Sequence, residues 1–139
     1  MKTAVRYYSR SGNTKKIADA IGNAVGVPAK TVDEALTEPV DLLFLGGAVY
    51  GGKIDSNIER FIETLAPDKV KSVAVFSTAM GKKPIFSQIK EALDKKGIDV
   101  KEAPFHCQGQ FMLFNKKRPN EQDCMEAADY AKKLVDEEK

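Results

Sequence analysis

The stretch Asp41-Leu42-Leu43-Phe44-Leu45-Gly46-Gly47 is apolar through its middle and ends in two glycines. A strand with one face in water alternates polar and apolar side chains. This one does not, so it is expected to be buried on both faces, inside a parallel sheet covered by helices. Residues 72–77 (Ser-Val-Ala-Val-Phe-Ser) repeat the pattern. Strand and helix signals alternate around these two runs. Residues 3–8 are β-rich and stop at Ser9. Residues 14–25 place Ile17, Ile21 and Val25 at helical spacing, and Gly26 and Pro28 end that helix. A short extended piece at 29–32 follows. Residues 56–66 carry Ile58, Phe61, Ile62 and Leu65 on one helical face, and residues 84–96 carry Ile85, Ile89 and Leu93 before Gly97 stops them. A final strand region lies in 98–111, and 121–137, with Met125, Ala128, Leu134 and Val135, reads as the last helix. The second helix is weak: between 32 and 41 only 34–37 could form a turn. The order βαβαβαβαβα argues for an α/β fold, a parallel sheet with helices on both faces. A ligand in such a fold sits beyond the carboxyl ends of the strands, at the switch point. The informative loops are therefore 9–14, 46–56 and 77–83.

The 139 residues suit one domain, 1–139, with no linker, repeat or low-complexity stretch. A domain of this size buries roughly 68% of the surface its unfolded chain exposes, enough for a core without cross-links. With 42% hydrophobic and 30% charged residues the balance is that of a soluble globular chain. No run approaches the ~18 apolar residues of a membrane span, and Arg6 interrupts any apolar run at the N-terminus, so no secretory signal is read. A cytoplasmic monomer is expected. Cys107 and Cys124 are far apart and form no CxxC pair, so both are expected to be reduced and structural. The net charge of +2, without a basic stripe interleaved with aromatics, gives no argument for nucleic acid. The single histidine, His106, cannot build a zinc site with distant cysteines, and no Ser-His-Asp array can be argued. It reads as structural, and no metal is expected.

The loop Ser9-Arg10-Ser11-Gly12-Asn13-Thr14 follows the first strand and opens the first helix. Hydroxyls and backbone N–H groups converge at a helix N-terminus, a geometry suited to a phosphate because amides point at it and the helix dipole favours its charge. Gly12 permits close backbone approach. The same residues would equally make an ordinary N-cap turn. The spacing is neither that of a P-loop nor GxGxxG.

Directly after the first strand, Ser-Arg-Ser-Gly-Asn-Thr resembles the FMN phosphate loop of flavodoxins, [ST]-x-[ST]-G-x-T, at all four defined positions. The resemblance extends to element order, total length and the ligand loops after the first, third and fourth strands. It implies a flavodoxin-like three-layer sandwich with a five-stranded parallel sheet of order 2-1-3-4-5, and FMN as cofactor. Ser9, Arg10, Ser11, Gly12, Asn13 and Thr14 would then surround the phosphate. In the second loop, Ala48-Val49-Tyr50-Gly51-Gly52, Tyr50 matches the aromatic that packs on the flavin ring, and Gly51 matches the residue whose peptide flips to accept a hydrogen bond from the reduced ring. The third loop, Ser77-Thr78-Ala79-Met80-Gly81, would line the polar edge of the ring, with Met80 as a soft apolar contact.

The chain departs from the flavodoxin pattern in four ways. Residues 77–83 contain no second aromatic, Ala48 and Val49 lack hydroxyls, Arg10, Lys15 and Lys16 bring positive charge to the phosphate loop, and the chain is not acidic. Lys53, Lys82 and Lys83 flank the two ring loops. A nearby cation stabilises an anion by about 1 kcal/mol in water-like surroundings, which is ~40 mV for a one-electron couple. The low-potential couple is therefore expected to be less negative than in a typical flavodoxin. Redox titration checks this, and a value in the family's usual very low range contradicts it.

Three functions fit such a chain. The first is an FMN electron carrier between partner proteins, a reductase and an electron acceptor, with no substrate of its own. The second is an FMN-dependent oxidoreductase of the quinone or protoporphyrinogen type, which the stretch 46–62 also resembles. The third is a flavin-free module like the receiver proteins of this topology, but those need acidic residues where Ser9 and Gly46-Gly47 stand. Carrier function is the primary expectation. Phe105-His106-Cys107-Gln108-Gly109-Gln110-Phe111 resembles the last-strand segment of some small flavodoxin-domain proteins, which carry a Cys-x-Gly there. Lys116-Lys117-Arg118-Pro119 reads either as a solvated basic loop or as a docking patch for an acidic redox partner.

Overall fold

A computed structural model describes residues 1–9, 12–48, 54–79, 86–108 and 119–137. Its elements are β1 (Thr3–Tyr7), α1 (Asn13–Val25), β2 (Ala29–Thr31), β3 (Val40–Ala48), α2 (Ser56–Glu63), β4 (Val70–Ala79), α3 (Phe86–Asp94), β5 (Asp99–Val100), β6 (Phe105–Gln108) and α4 (Glu121–Glu137). All strand pairs are parallel, in the order β2-β1-β3-β4, with β5 and β6 both along the outer edge of β4. This is the expected three-layer α/β arrangement.

The two double-buried runs become the two central strands. Their alternate side chains go to opposite faces. Leu43, Leu45, Val73 and Val75 pack under α2 and α3 with Ile58, Phe61, Ile62, Ile89 and Leu93. Leu42, Phe44, Ala74 and Phe76 pack under α1 and α4 with Ile17, Ile21, Ala127, Ala131 and Leu134. The helices begin and end close to where periodicity put them, although α2 stops at Glu63 rather than 66. Leu65 is buried just beyond that end.

The expected fifth strand is two short pieces. Between Val100 and Phe105 the chain advances five residues while β4 advances three, from Val73 to Phe76. The excess is accommodated at 101–104, where Pro104 has no N–H to give to a ladder and restricts Ala103. Helix α4 secures this bend. The Tyr130 hydroxyl donates to the Ala103 carbonyl at 2.7 Å, its ring lies 5.7 Å from that of Phe105, and burial pushes the phenol's pKa up.

The weak second helix is absent: residues 32–39 cross from β2 to β3 as turns and bends. Arg6 does the work a helix would otherwise do. It is 6% exposed on β1, on the face shared with Ala4, and its guanidinium donates to the carbonyls of Glu34 (2.8 Å), Ala35 (3.3 Å) and Val5 (3.0 Å). The charge that interrupts the first strand in the sequence is thus the anchor of the crossover.

Candidate functional site

The carboxyl ends of β1, β3 and β4 lie side by side. Tyr7, Gly46, Phe76 and Phe105 are in register across the sheet, and Ala48, Thr78 and Cys107 form the next level of β3, β4 and β6. Gly46 is glycine for a packing reason. A Cβ there would overlap the ring of Phe76, which is fully buried beside it.

Beyond β1 the chain turns at Ser9, whose Oγ accepts from the Gly12 N–H at 2.9 Å. Gly12 is the residue before α1 and has φ +89°, a conformation costly for residues with a Cβ. No side chain caps α1, and its first turn holds no acidic residue. Helix α2 has a different start: Asp55 accepts from the Asn57 N–H at 2.8 Å. At α4, Asn120 and Asp123 exchange side-chain-to-backbone bonds of 2.9 Å in both directions. At α1 the N-cap position is held by Gly12, which has no side chain to cap with, and the Ser9 hydroxyl accepts from Gly12 itself. The helix presents the positive end of its dipole, with no acidic residue in its first turn, a feature that attracts an anion.

Thr14, in the first turn of α1, is wholly buried. Its hydroxyl is 2.8 Å from that of Thr78 on β4, itself 1% exposed. Ser77, the preceding residue, is buried on the opposite face, with its Oγ 3.0 Å from His106 Nδ1 on β6. Of the two lysines expected to bring charge to the loop, Lys15 is tied to its own helix, pairing with Asp19 at 2.8 Å, and that hydrogen bond raises its pKa.

Of the expected site residues, Ser9, Gly12, Asn13, Thr14, Ala48, Ser77, Thr78 and Ala79 are gathered at this one edge of the sheet. Arg10, Ser11, Val49, Tyr50, Gly51, Gly52, Met80 and Gly81 lie outside the described residues, as do Lys53, Lys82, Lys83 and the basic residues 116–118. The pairs Thr14–Thr78 and Ser77–His106 have no signal in the sequence, because they join residues 64 and 29 positions apart. Cys107 is buried among the side chains under α1 and α4, Cys124 is half-buried on α4, and neither forms a disulfide. Among the described residues no cluster of His, Cys, Asp or Glu could hold a metal ion, and no helix is long and apolar enough to cross a membrane.

Residues 4–110 match the family model described as "Flavodoxin domain". A protein named "Flavodoxin" from Clostridium beijerinckii is 31% identical over 143 residues, covering 93% of this chain and 96% of its own. The chain belongs to the flavodoxin family. An uncharacterized protein of Methanocaldococcus jannaschii is 29% identical over 149 residues, covering 97% of this chain and 99% of its own. Among solved structures, a flavodoxin from the domain Archaea superposes with a TM-score of 0.79 at 20% identity, covering 99% of this chain and 98% of that one. The split edge opposite β4 is thus a local variation on the flavodoxin sheet. Membership of this flavoprotein family implies a flavin, and the start of α1, at a left-handed Gly12 and without an acidic residue in its first turn, is suited to a negatively charged group.

Proposed function

We propose that the chain binds one FMN non-covalently at the carboxyl edge of β1, β3 and β4 and carries electrons between a reductase and an acceptor protein. The observation that carries this reading is the start of α1. In a chain of the flavodoxin family, the helix after β1 begins at a left-handed Gly12 with no side-chain cap and no acid in its first turn.

In this reading Ser9, Arg10, Ser11, Gly12, Asn13 and Thr14 bind the phosphate. The oxygen of Ser9 already accepts from Gly12, so its proton is the part left to give. Ala48, Val49, Tyr50, Gly51 and Gly52 hold one side of the ring, and the loop Ser77, Thr78, Ala79, Met80 and Gly81 lines its polar edge through backbone groups, so the Thr78 side chain is not itself a ring contact. Bound FMN supplies the redox chemistry; the protein supplies binding, orientation and electrostatics. The buried β3–β4 floor keeps water away from one side of the site.

Protein supplied with FMN is expected to retain it through gel filtration, to show the visible absorbance of oxidised flavin, and to melt at higher temperature than the flavin-free chain, since a ligand that binds only the folded state stabilises it. Slow turnover with quinones after chemical reduction is expected of a carrier. Colourless protein with no thermal shift in excess FMN overturns the binding reading, and fast quinone-dependent turnover overturns the carrier reading.

A further inference from the structure

We propose that Thr78 is a positioning residue for the cofactor phosphate: through the 2.8 Å bond between the two side-chain oxygens it holds the Thr14 hydroxyl as a donor to that phosphate. This rests on the reading of the site as an FMN site.

Thr14 sits in the first turn of α1, at the end of the helix that favours an anion. Each threonine hydroxyl has one proton and two acceptor positions. Two hydroxyls that share one hydrogen bond place one proton between them and leave the other to point elsewhere. Either oxygen can be the donor in this pair. If Thr14 donates to Thr78, its proton is turned into the sheet and away from the helix end. If Thr78 donates, the remaining proton is that of Thr14. A phosphate at the start of α1 selects the second arrangement, because an O–H aimed at an anion makes a stronger bond than one aimed at a neutral oxygen.

Both residues are almost completely buried, 0% and 1% exposed, so water competes little for either hydroxyl and the bond restricts the Thr14 rotamer. Thr78 is also the residue of β4 that leads, through Ala79, into the loop expected to line the ring. The pair therefore connects the phosphate end of the site to the ring end.

The test compares FMN with riboflavin, which has the same ring and no phosphate, by quenching of flavin fluorescence. Thr78→Val is expected to weaken FMN about tenfold, equivalent to ~1.4 kcal/mol, while riboflavin binding changes less than about twofold. Thr78→Ser, which keeps the hydroxyl on the same carbon, is expected to restore FMN affinity. In a Thr14→Val background no buried hydroxyl loses its partner when Thr78→Val is added, and that second change is expected to leave FMN affinity where Thr14→Val alone puts it.

Equal weakening of FMN and riboflavin would make Thr78 a merely structural contact and overturn the proposal. So would an FMN affinity that Thr78→Val leaves unchanged, or a further loss from Thr78→Val in the Thr14→Val background. Wild-type protein that binds neither flavin would remove the FMN site itself, and the proposal with it; wild-type FMN binding alongside any of the three preceding results removes the proposal alone.

Discussion

Gly46→Ala is expected to lower the free energy of unfolding by about 3 kcal/mol, the upper part of the range for forcing an extra methyl into a filled core. Gly46 lies in β3 between partners on both sides, Tyr7 of β1 and Phe76 of β4. A methyl group on its Cα would occupy the space of the Phe76 ring. The ring has nowhere to go, because Phe76 is fully buried and packed under α1 and α4 with Ile17, Ile21 and Phe105. Backbone movement is equally restricted in a strand paired along both edges. The clash is with a side chain, so the cost should depend on that side chain: Phe76→Leu in the Gly46→Ala background is expected to recover part of the loss, and the two changes should be non-additive as contacting pairs are. Urea denaturation of the four chains measures this. A Gly46→Ala protein within about 0.5 kcal/mol of the parent would mean that the sheet opens at this level, contrary to the packing seen.

This glycine shows what a single sequence does and does not reveal. The run 41–47 is legible as a central strand because burial on both faces leaves a compositional mark that no turn or surface helix shares. Helices α1 and α2 are legible through their apolar periodicity, whereas for α4 two of the expected positions mislead: Met125 is exposed and Ala128 only half-buried. The buried face of α4 is Asp123, Ala127, Ala131 and Leu134, mostly small residues that leave little hydrophobic signal. The loop 9–14 is legible as an anion site or a cap because hydroxyls and glycine before a helix have few other uses. What the sequence does not give is which residue takes the N-cap position: the structure puts Gly12 there, in a left-handed conformation, rather than one of the hydroxyl residues. Cross-sheet relations are invisible as well. Gly46 reads as the end of a strand near a ligand, whereas its size is dictated by Phe76, thirty positions along the chain. His106 reads as an isolated histidine, and only the parallel pairing of β6 with β4 brings it to Ser77. The division of the last strand into β5 and β6 depends on how much chain the bend at Pro104 consumes, which periodicity over so few residues cannot fix.

Arg6→Ala is expected to be comparably damaging, by about 2–3 kcal/mol, for a different physical reason. The crossover from β2 to β3 has no helix and cannot satisfy its own carbonyls by a regular ladder. Arg6 compensates with a planar fork whose donors reach the Glu34, Ala35 and Val5 oxygens at once. Hydrogen bonds from a charged donor contribute about 1.5–3 kcal/mol each, but burying the cation opposes them: desolvation pulls the guanidinium pKa below its ordinary value, and the Glu34 carboxylate offsets only part of this. The bonds should still win on balance, because the guanidinium stays ionised while the alternative is a cavity under the crossover and loss of the side-chain stem that fills it. Arg6→Met restores the stem without the fork and is expected to recover less than half of the loss. Arg6→Lys provides one compact charge that cannot reach three carbonyls in a plane, and should behave closer to methionine than to arginine. Amide exchange gives the local readout: the Val32 N–H, bonded to the Tyr7 carbonyl at 2.9 Å, and the Glu34 N–H, bonded to Thr31 at 3.1 Å, should exchange markedly faster in Arg6→Met while amides of β3 and β4 change far less. Uniform acceleration across the sheet would assign Arg6 to the core as a whole. Unchanged exchange at Val32 and Glu34 would mean that Val32 and Leu36, packed against the α2–α3 side of the core, hold the crossover without it.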